Sequence, residues 1–276
     1  MLNQLKNKRH KALNIYLSHM KIHFYKYQGA GNDFVMIDDR EATFNYDQKT
    51  IESLCTRRMG VGADGLITLF EKDNMYQMRY FNSDGNESTM CGNGGRCFAQ
   101  FMKDLGLVNG NLVEFNAIDG KHSAEFIGEN IRLQMIDVEA VKIQPEYTFL
   151  NTGSPHHVEF VDKADEIDVK NAGAKIRYSE LYPEGSNVNF VEILSPEKLK
   201  VRTYERGVED ETYSCGTGVT ASAIAYFANE KTDQKKIEIE TLGGTLFVEF
   251  EPSGEQFVQV FLTGPAKQVF QGEIYT

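Results

Sequence analysis

One displacement runs through the whole chain. Cys215 stands 124 residues after Cys91, and the segments read CGNGGRCFAQF and CGTGVTASAIAYF, each a Cys-Gly-x-Gly run opening an apolar stretch of helical spacing. The same displacement carries Gly29 to Gly153, Phe34 to Val158, Asp38 to Asp162 and Tyr80 to Tyr204, laying QGAGNDFVMID over TGSPHHVEFVD. Isolated glycines align by chance in a chain that has 24 of them, but chance rarely holds one register across a turn, a strand and a helix start. The chain therefore reads as two duplicated halves about a pseudo-two-fold axis, with a Cys-Gly helix start at the same place in each.

Local patterns fill in an α/β chain. IHFYKY and FVMID, separated by a glycine turn at Gly29 to Gly31, have the β-branched and aromatic content of strands. Tyr46 to Arg58 has helical spacing and stops at Gly60 and Gly62; strands are predicted at Gly65 to Leu69 and Tyr76 to Phe81. A polar turn, Asn82 to Ser88, leads to Cys91, after which Cys97, Phe98, Phe101, Met102 and Leu105 fall on one helical face. The linker is placed near Asp137 to Pro145. FVQVFLTGPAKQVFQGEIY supplies the closing strands, the last able to return to the first sheet. The predicted units are residues 20–137 plus 266–276, and residues 138–265. Residues 1–19, with four basic side chains and no acid, are set aside as a disordered or extended segment.

Composition removes several classes of function. No run of 18 apolar residues is present to span a membrane. A formal charge of −11, with no basic stripe, argues against nucleic acid. Four cysteines, none in a CxxC pair, suggest neither a disulfide scaffold nor a metal site and fit a reducing cytoplasm.

A helix start leaves backbone N–H groups unpaired and carries roughly half a positive charge, so it attracts anions such as a carboxylate. A cysteine just before it feels the same field, which can draw a thiol from about 8.5 toward the 3.5–7.5 range of reactive thiols. Two such starts meeting across a pseudo-axis would share one substrate carboxylate and set a sulfur on either face of its α-carbon. That arrangement inverts a stereocentre: one thiolate removes the α-proton and the opposite thiol returns one to the other face. The other cysteines, Cys55 and Cys97, fall on apolar helix faces and read as packing. Taken alone, His156 and His157 read as solvated turn residues, Glu205-Arg206 as a surface ion pair, and Asn32, Asn82 and Asn187 as turn asparagines. GAGNDF lacks the third glycine and the following helix of a dinucleotide fingerprint.

From Lys21 to the carboxyl terminus the chain resembles the diaminopimelate epimerases, through YQGAGNDFVMID, RYFNSDGNESTMCGNGGRCF and TYERGVEDETYSCGTGVTASA. The resemblance implies two similar α/β domains, each a β-sheet wrapped around a central helix, with the site in the cleft between them. It implies interconversion of LL- and meso-2,6-diaminopimelate, on the route to lysine and peptidoglycan, with no cofactor and no metal. Cys91 and Cys215 match the catalytic pair. Asn32, Asn82, Asn187 and Arg206 match substrate-holding residues, and Glu205 one close to the reactive centre. Gly92-Asn93 and Gly216-Thr217 match the helix-start amides that take the reacting carboxylate, and His156 and Glu205 match residues that tune the thiols. An arginine can grip the distal carboxylate with a two-pronged bond, so selectivity would come from that end. Ser154 stands where many members have asparagine, and Gly65 where some have glutamine. The expected partner is the small-molecule substrate alone, with a homodimer left open. Two alternatives remain at this stage: a racemase of the same fold acting on proline, hydroxyproline or another amino acid, and a thiol redox protein whose cysteines form a regulatory disulfide.

Overall fold

The computed structural model describes residues 21–275; the segment 1–19, Met20 and Thr276 lie outside the described residues. Two halves repeat one order of elements. In the first, the strand Lys21–Gly29 pairs antiparallel with Asn32–Asp38, which runs parallel to Gly65–Lys72, itself antiparallel to Met75–Asn82. In the second, Thr148–Asn151, Pro155–Phe160, Asn187–Ser195 and Lys198–Glu205 follow the same sequence of directions. Each half ends in a three-stranded meander, Leu112–Ala117, Gly120–Ile127 and Asn130–Gln134 in one, Lys236–Thr241, Gly244–Ser253 and Gln256–Pro265 in the other.

The halves are stitched together through their sheets. Asn130–Gln134 pairs antiparallel with Gln256–Pro265, Leu133 opposite Leu262. The strand after each meander then joins the first strand of the opposite half: Val141–Ile143 pairs with Thr148–Asn151, and Lys267–Tyr275 with Lys21–Gly29.

Among the described residues four α-helices complete the fold: α1 (Gln48–Cys55), α2 (Gly92–Asp104), α3 (Val169–Arg177) and α4 (Gly216–Ala228). The outer pair, α1 and α3, each start on an aspartate cap, Asp47 accepting from the Thr50 amide and Asp168 from that of Asn171. Each covers a small cluster, around Ile51 and Leu54 in one half and Val169 and Phe190 in the other. The inner pair, α2 and α4, run through the main core. In α4 every residue from Gly216 to Tyr226 is buried, as a helix apolar on all sides requires. Cys97 lies in this core, fully buried, and Cys55, the last residue of α1, is buried in the cluster beneath that helix, so both are packing residues. Among the described residues no helix is long and apolar enough to cross a membrane.

The displacement of 124 holds where it matters and slips in one hairpin. Phe34 pairs with Gly65, and Val158 with Asn189, in the register the shift demands. Tyr80 pairs with Ile67, but Tyr204 pairs with Val188, three places from its expected partner. The second hairpin turns one residue earlier than the shift demands, and a bulge between Ile193 and Ser195 makes up the rest of the difference. A shift of three turns a side chain to the other face of a sheet. Tyr80 accordingly packs against the central core, while Tyr204 lies under α3, so the sequence match between these tyrosines is not a structural equivalence.

Candidate active site

The two inner helices meet at their amino-terminal ends. A β-carbon built on Gly216 would stand 3.1 Å from the Gly92 Cα and 3.2 Å from the Asn93 amide nitrogen. Only glycine lets two helix starts come this close. Leu262, from the strand that joins the halves, packs beneath both glycines. A polar tie holds the same junction: Asn93 Nδ2 donates to the Ser214 carbonyl at 3.0 Å and to its hydroxyl at 3.1 Å, and Ser214 donates onward to the Ala30 carbonyl at 2.9 Å.

Cys91 and Cys215 are the residues immediately before the two starts, and they line one cavity of about 220 Å³. Asn82, Asn187, Glu205, Arg206 and Thr217 share its wall. The remaining predicted residues stand behind that wall. Asn32 accepts a long contact from the Cys91 thiol at 4.0 Å and donates to Asp64 at 2.7 Å. Gly92 and Gly216 form the helix contact, and the Asn93 side chain turns into the interface rather than the cavity.

Three isolated readings of side chains are corrected by the fold. His156 and His157 are not solvated turn residues: both lie in the strand Pro155–Phe160 and are buried. Burial, then the nearby Arg206 charge, lowers His156 to about 3, which leaves it a neutral imidazole whose Nδ1 meets the Asn189 amide at 3.1 Å. Glu205 and Arg206 form no ion pair with each other. The Arg206 amide donates to Asn187 Oδ1 at 2.8 Å, its guanidinium donates to the Glu184 carbonyl at 3.2 Å, and Glu205 points into the cleft. Although part of its surface is open, the Glu205 carboxyl lies deep enough that burial raises it to about 7, against weaker opposing pulls from the Thr212 hydroxyl and the Cys215 thiol.

The expectation of acidic thiols is also overturned. Burial pushes Cys91 up to about 12, even though the Gly94 amide donates to its sulfur at 3.2 Å. Burial raises Cys215 still further, with the Glu205 charge adding to it and Thr217 and Gly218 opposing. Desolvation costs each thiolate more than its helix start returns. Both are free thiols.

Tyr80, Ser88, Thr89, Met90, Gly153 and Gly207 also line the cavity and were not among the site residues expected from sequence. Met90, Thr89 and Ser88 could have been found by their place just before Cys91, and Gly153 by its match to Gly29. Tyr80 explains Gly65: a β-carbon there would stand 2.6 Å from the tyrosine ring, so the ring fills the space a larger residue at 65 would take. Ser154 accepts from Asn187 Nδ2 at 2.9 Å, so its hydroxyl holds an asparagine of the cavity wall.

Known proteins resemble this chain over nearly its full length. The family model described as diaminopimelate epimerase matches twice in succession, at residues 24–141 and 148–269. A diaminopimelate epimerase from Flavobacterium psychrophilum is 56% identical, covering 91% of this chain and 99% of its own. One from Chlorobaculum tepidum is 41% identical, covering 89% and 98%. Among solved structures, a PhzF-family phenazine biosynthesis protein from Bacillus anthracis superposes with a TM-score of 0.75 at 15% identity, covering 92% of this chain and 99% of that one. A hydroxyproline epimerase from Agrobacterium vitis gives 0.72 at 12%, covering 92% of each. At such identities these two share the fold alone. The tandem match agrees with the repeated order of strands and helices: the chain is two like α/β domains, each with a sheet about an inner helix.

Proposed function

From the premise that the chain belongs to the diaminopimelate epimerase family, we infer how its residues interconvert LL- and meso-2,6-diaminopimelate. The chain is an isomerase of amino-acid biosynthesis. The observation that carries the residue assignment is that Cys91 and Cys215, from separate halves, line one cavity at two abutting helix starts.

The helix-start amides at Gly92-Asn93 and Gly216-Thr217 receive the α-carboxylate of the reacting end. One sulfur, as thiolate, takes the α-proton, and the electron pair left on carbon delocalises into that carboxylate. Its growing charge faces the two helix starts, whose fixed dipoles need no reorganisation. The opposite thiol delivers its own proton to the other face, so the first sulfur ends as thiol and the second as thiolate. The reverse reaction begins from that exchanged state. Arg206, Asn82 and Asn187 hold the distal amino-acid head, with Asn32 behind Cys91, while Glu205 and the neutral His156 set how readily the sulfurs ionise. The functional units we take are residues 20–137 plus 266–276, and residues 138–265, which the crossing closing strands support. A biosynthetic enzyme with four free thiols fits the cytoplasm. A homodimer fits the strand Lys267–Tyr275, which exposes Val269, Phe270 and Tyr275, and sedimentation equilibrium checks it.

The test is α-proton exchange in deuterated water with LL-diaminopimelate, L-proline and L-histidine offered in parallel. Inversion and deuterium incorporation are expected with the first alone. Turnover of another amino acid without diaminopimelate would overturn the substrate, and no exchange at all, with dithiol–disulfide cycling, would overturn the reaction.

A further inference from the structure

The duplication is broken at one charged position. Arg96 lies one turn into α2 and is fully buried. The shift of 124 places Thr220 at the same turn of α4, where its hydroxyl merely donates to the Gly216 carbonyl at 2.9 Å. Arg96 donates to the Gly92 carbonyl at 3.2 Å and to Asn93 Oδ1 at 2.7 Å, while its Nε is buried without a partner. Among the described residues no carboxylate forms an ion pair with it. A buried cation is ordinarily paired, because leaving water costs several kcal/mol. This one is held only by neutral oxygens of the helix start, beside the Gly264 backbone.

That placement has two consequences. The bond to Asn93 fixes the amide whose other end ties α2 to Ser214, the residue before Cys215, so Arg96 braces the contact between the halves. Its charge is uncompensated and belongs to the helix that Cys91 caps, held on the carbonyl of Gly92, the residue next to that cysteine. The carboxylate of Glu205 shares the cavity wall with both sulfurs and disfavours both thiolates, so it does not distinguish them. We propose that Arg96 is a positioning residue whose unpaired buried charge makes Cys91, rather than Cys215, the sulfur that ionises first. Burial lowers the guanidinium only to about 10, so the charge is present at neutral pH, and it acts to ease ionisation of Cys91. The inference rests on the two-thiol reading of the site and adds an order to it.

Arg96→Gln removes the charge and keeps an amide able to meet Asn93; Arg96→Lys keeps the charge and loses the fork. Iodoacetamide labelling of each folded protein, resolved by mass spectrometry into Cys91 and Cys215 rates between pH 7 and 10, reads the ionisation directly. The expected result is Cys91 labelling slowed about tenfold in R96Q, equivalent to one pKa unit, with R96K within about twofold of wild type and Cys215 changed little. Should R96Q fail to fold, Arg96→Met takes its place, since apolar replacements of buried charges are commonly tolerated. Equal slowing in R96K and the uncharged variant, or no slowing in either, overturns the proposal, because a purely structural brace would not sort variants by charge. Labelling of Cys91 that leaves wild-type turnover intact would instead sink the two-thiol reading itself.

Discussion

Replacing Glu205 by glutamine tests whether the cleft is as dry as the structure makes it. In the folded protein burial raises this carboxyl from 4.5 to about 7. Between those values the folded state holds a proton that the unfolded chain has lost. The stability this contributes is fully present below pH 4.5 and is lost as pH rises through 7. At about 1.4 kcal/mol per pH unit, the total is roughly 3 kcal/mol. Glutamine has the shape of the neutral acid and no such dependence, so E205Q should gain about 3 kcal/mol on the wild type between pH 4.5 and 8. His156 acts in the opposite sense. Its folded value is lowered from 6.5 to about 3, so its contribution is present above 6.5 and is lost as pH falls toward 3. From pH 4.5 to 6.5 the two slopes oppose one another in the wild type, and E205Q exposes the histidine's alone. Urea denaturation of both proteins across this range measures the difference, in which all other titrating groups cancel. A stability difference constant within about 0.5 kcal/mol from pH 4.5 to 8 would refute the buried, near-neutral carboxyl.

Three further outcomes are expected. Cys91→Ala and Cys215→Ala should each lower net inversion by about 10²–10⁴-fold or more, the range set by loss of a positioned acid or base, as followed by circular dichroism or chiral chromatography; near-wild-type inversion by either variant contradicts the scheme. Mild oxidation should join Cys91 to Cys215 and stop turnover, with reductant restoring it, as peptide mass mapping and assay together would show. Gly216→Ala places a methyl 3.1 Å from the Gly92 Cα and 3.2 Å from the Asn93 nitrogen, so the helix starts must part by a few tenths of an ångström. Overpacking of this kind costs about 1–3 kcal/mol, partly offset by alanine's better helix propensity, and the misplacement should lower kcat by about ten- to a hundredfold. Thermal melting and steady-state kinetics separate the two effects.

What could be read from the sequence was whatever repeats or has a local signature. The Cys-Gly runs announced both inner helix starts, and the shift of 124 placed them in corresponding positions. What could not be read depends on distance across the fold. A three-residue slip in one hairpin is invisible to an alignment of tyrosines, yet it sends Tyr80 and Tyr204 to opposite faces. His156 and His157 follow a proline and look like turn residues, but their strand lies between two others and is covered. Arg96 carries no mark in the sequence, and only its burial without a carboxylate sets it apart.

The largest departure concerns the thiols, and the magnitudes explain it. A helix start stabilises a nearby anion by about 0.3–1 kcal/mol, up to about 2 in partly buried settings. Raising Cys91 from 9.0 to about 12 corresponds to about 4 kcal/mol against the anion, so burial prevails. A thiolate formed in such a place is a stronger base than an exposed one, and removing a proton from carbon calls for a strong base. Its scarcity is then the difficulty, and further positive charge must offset it. Arg96 supplies part of that on the Cys91 side from within the fold. The ammonium group on the reacting carbon of diaminopimelate would supply more on arrival. The sulfur would therefore become a base chiefly when the substrate is present, and alkylation of Cys91 at pH 8 should run faster with a substrate analogue that carries the ammonium but leaves the sulfur exposed than with one that lacks it. Equal rates with both analogues would show that the substrate contributes no such charge.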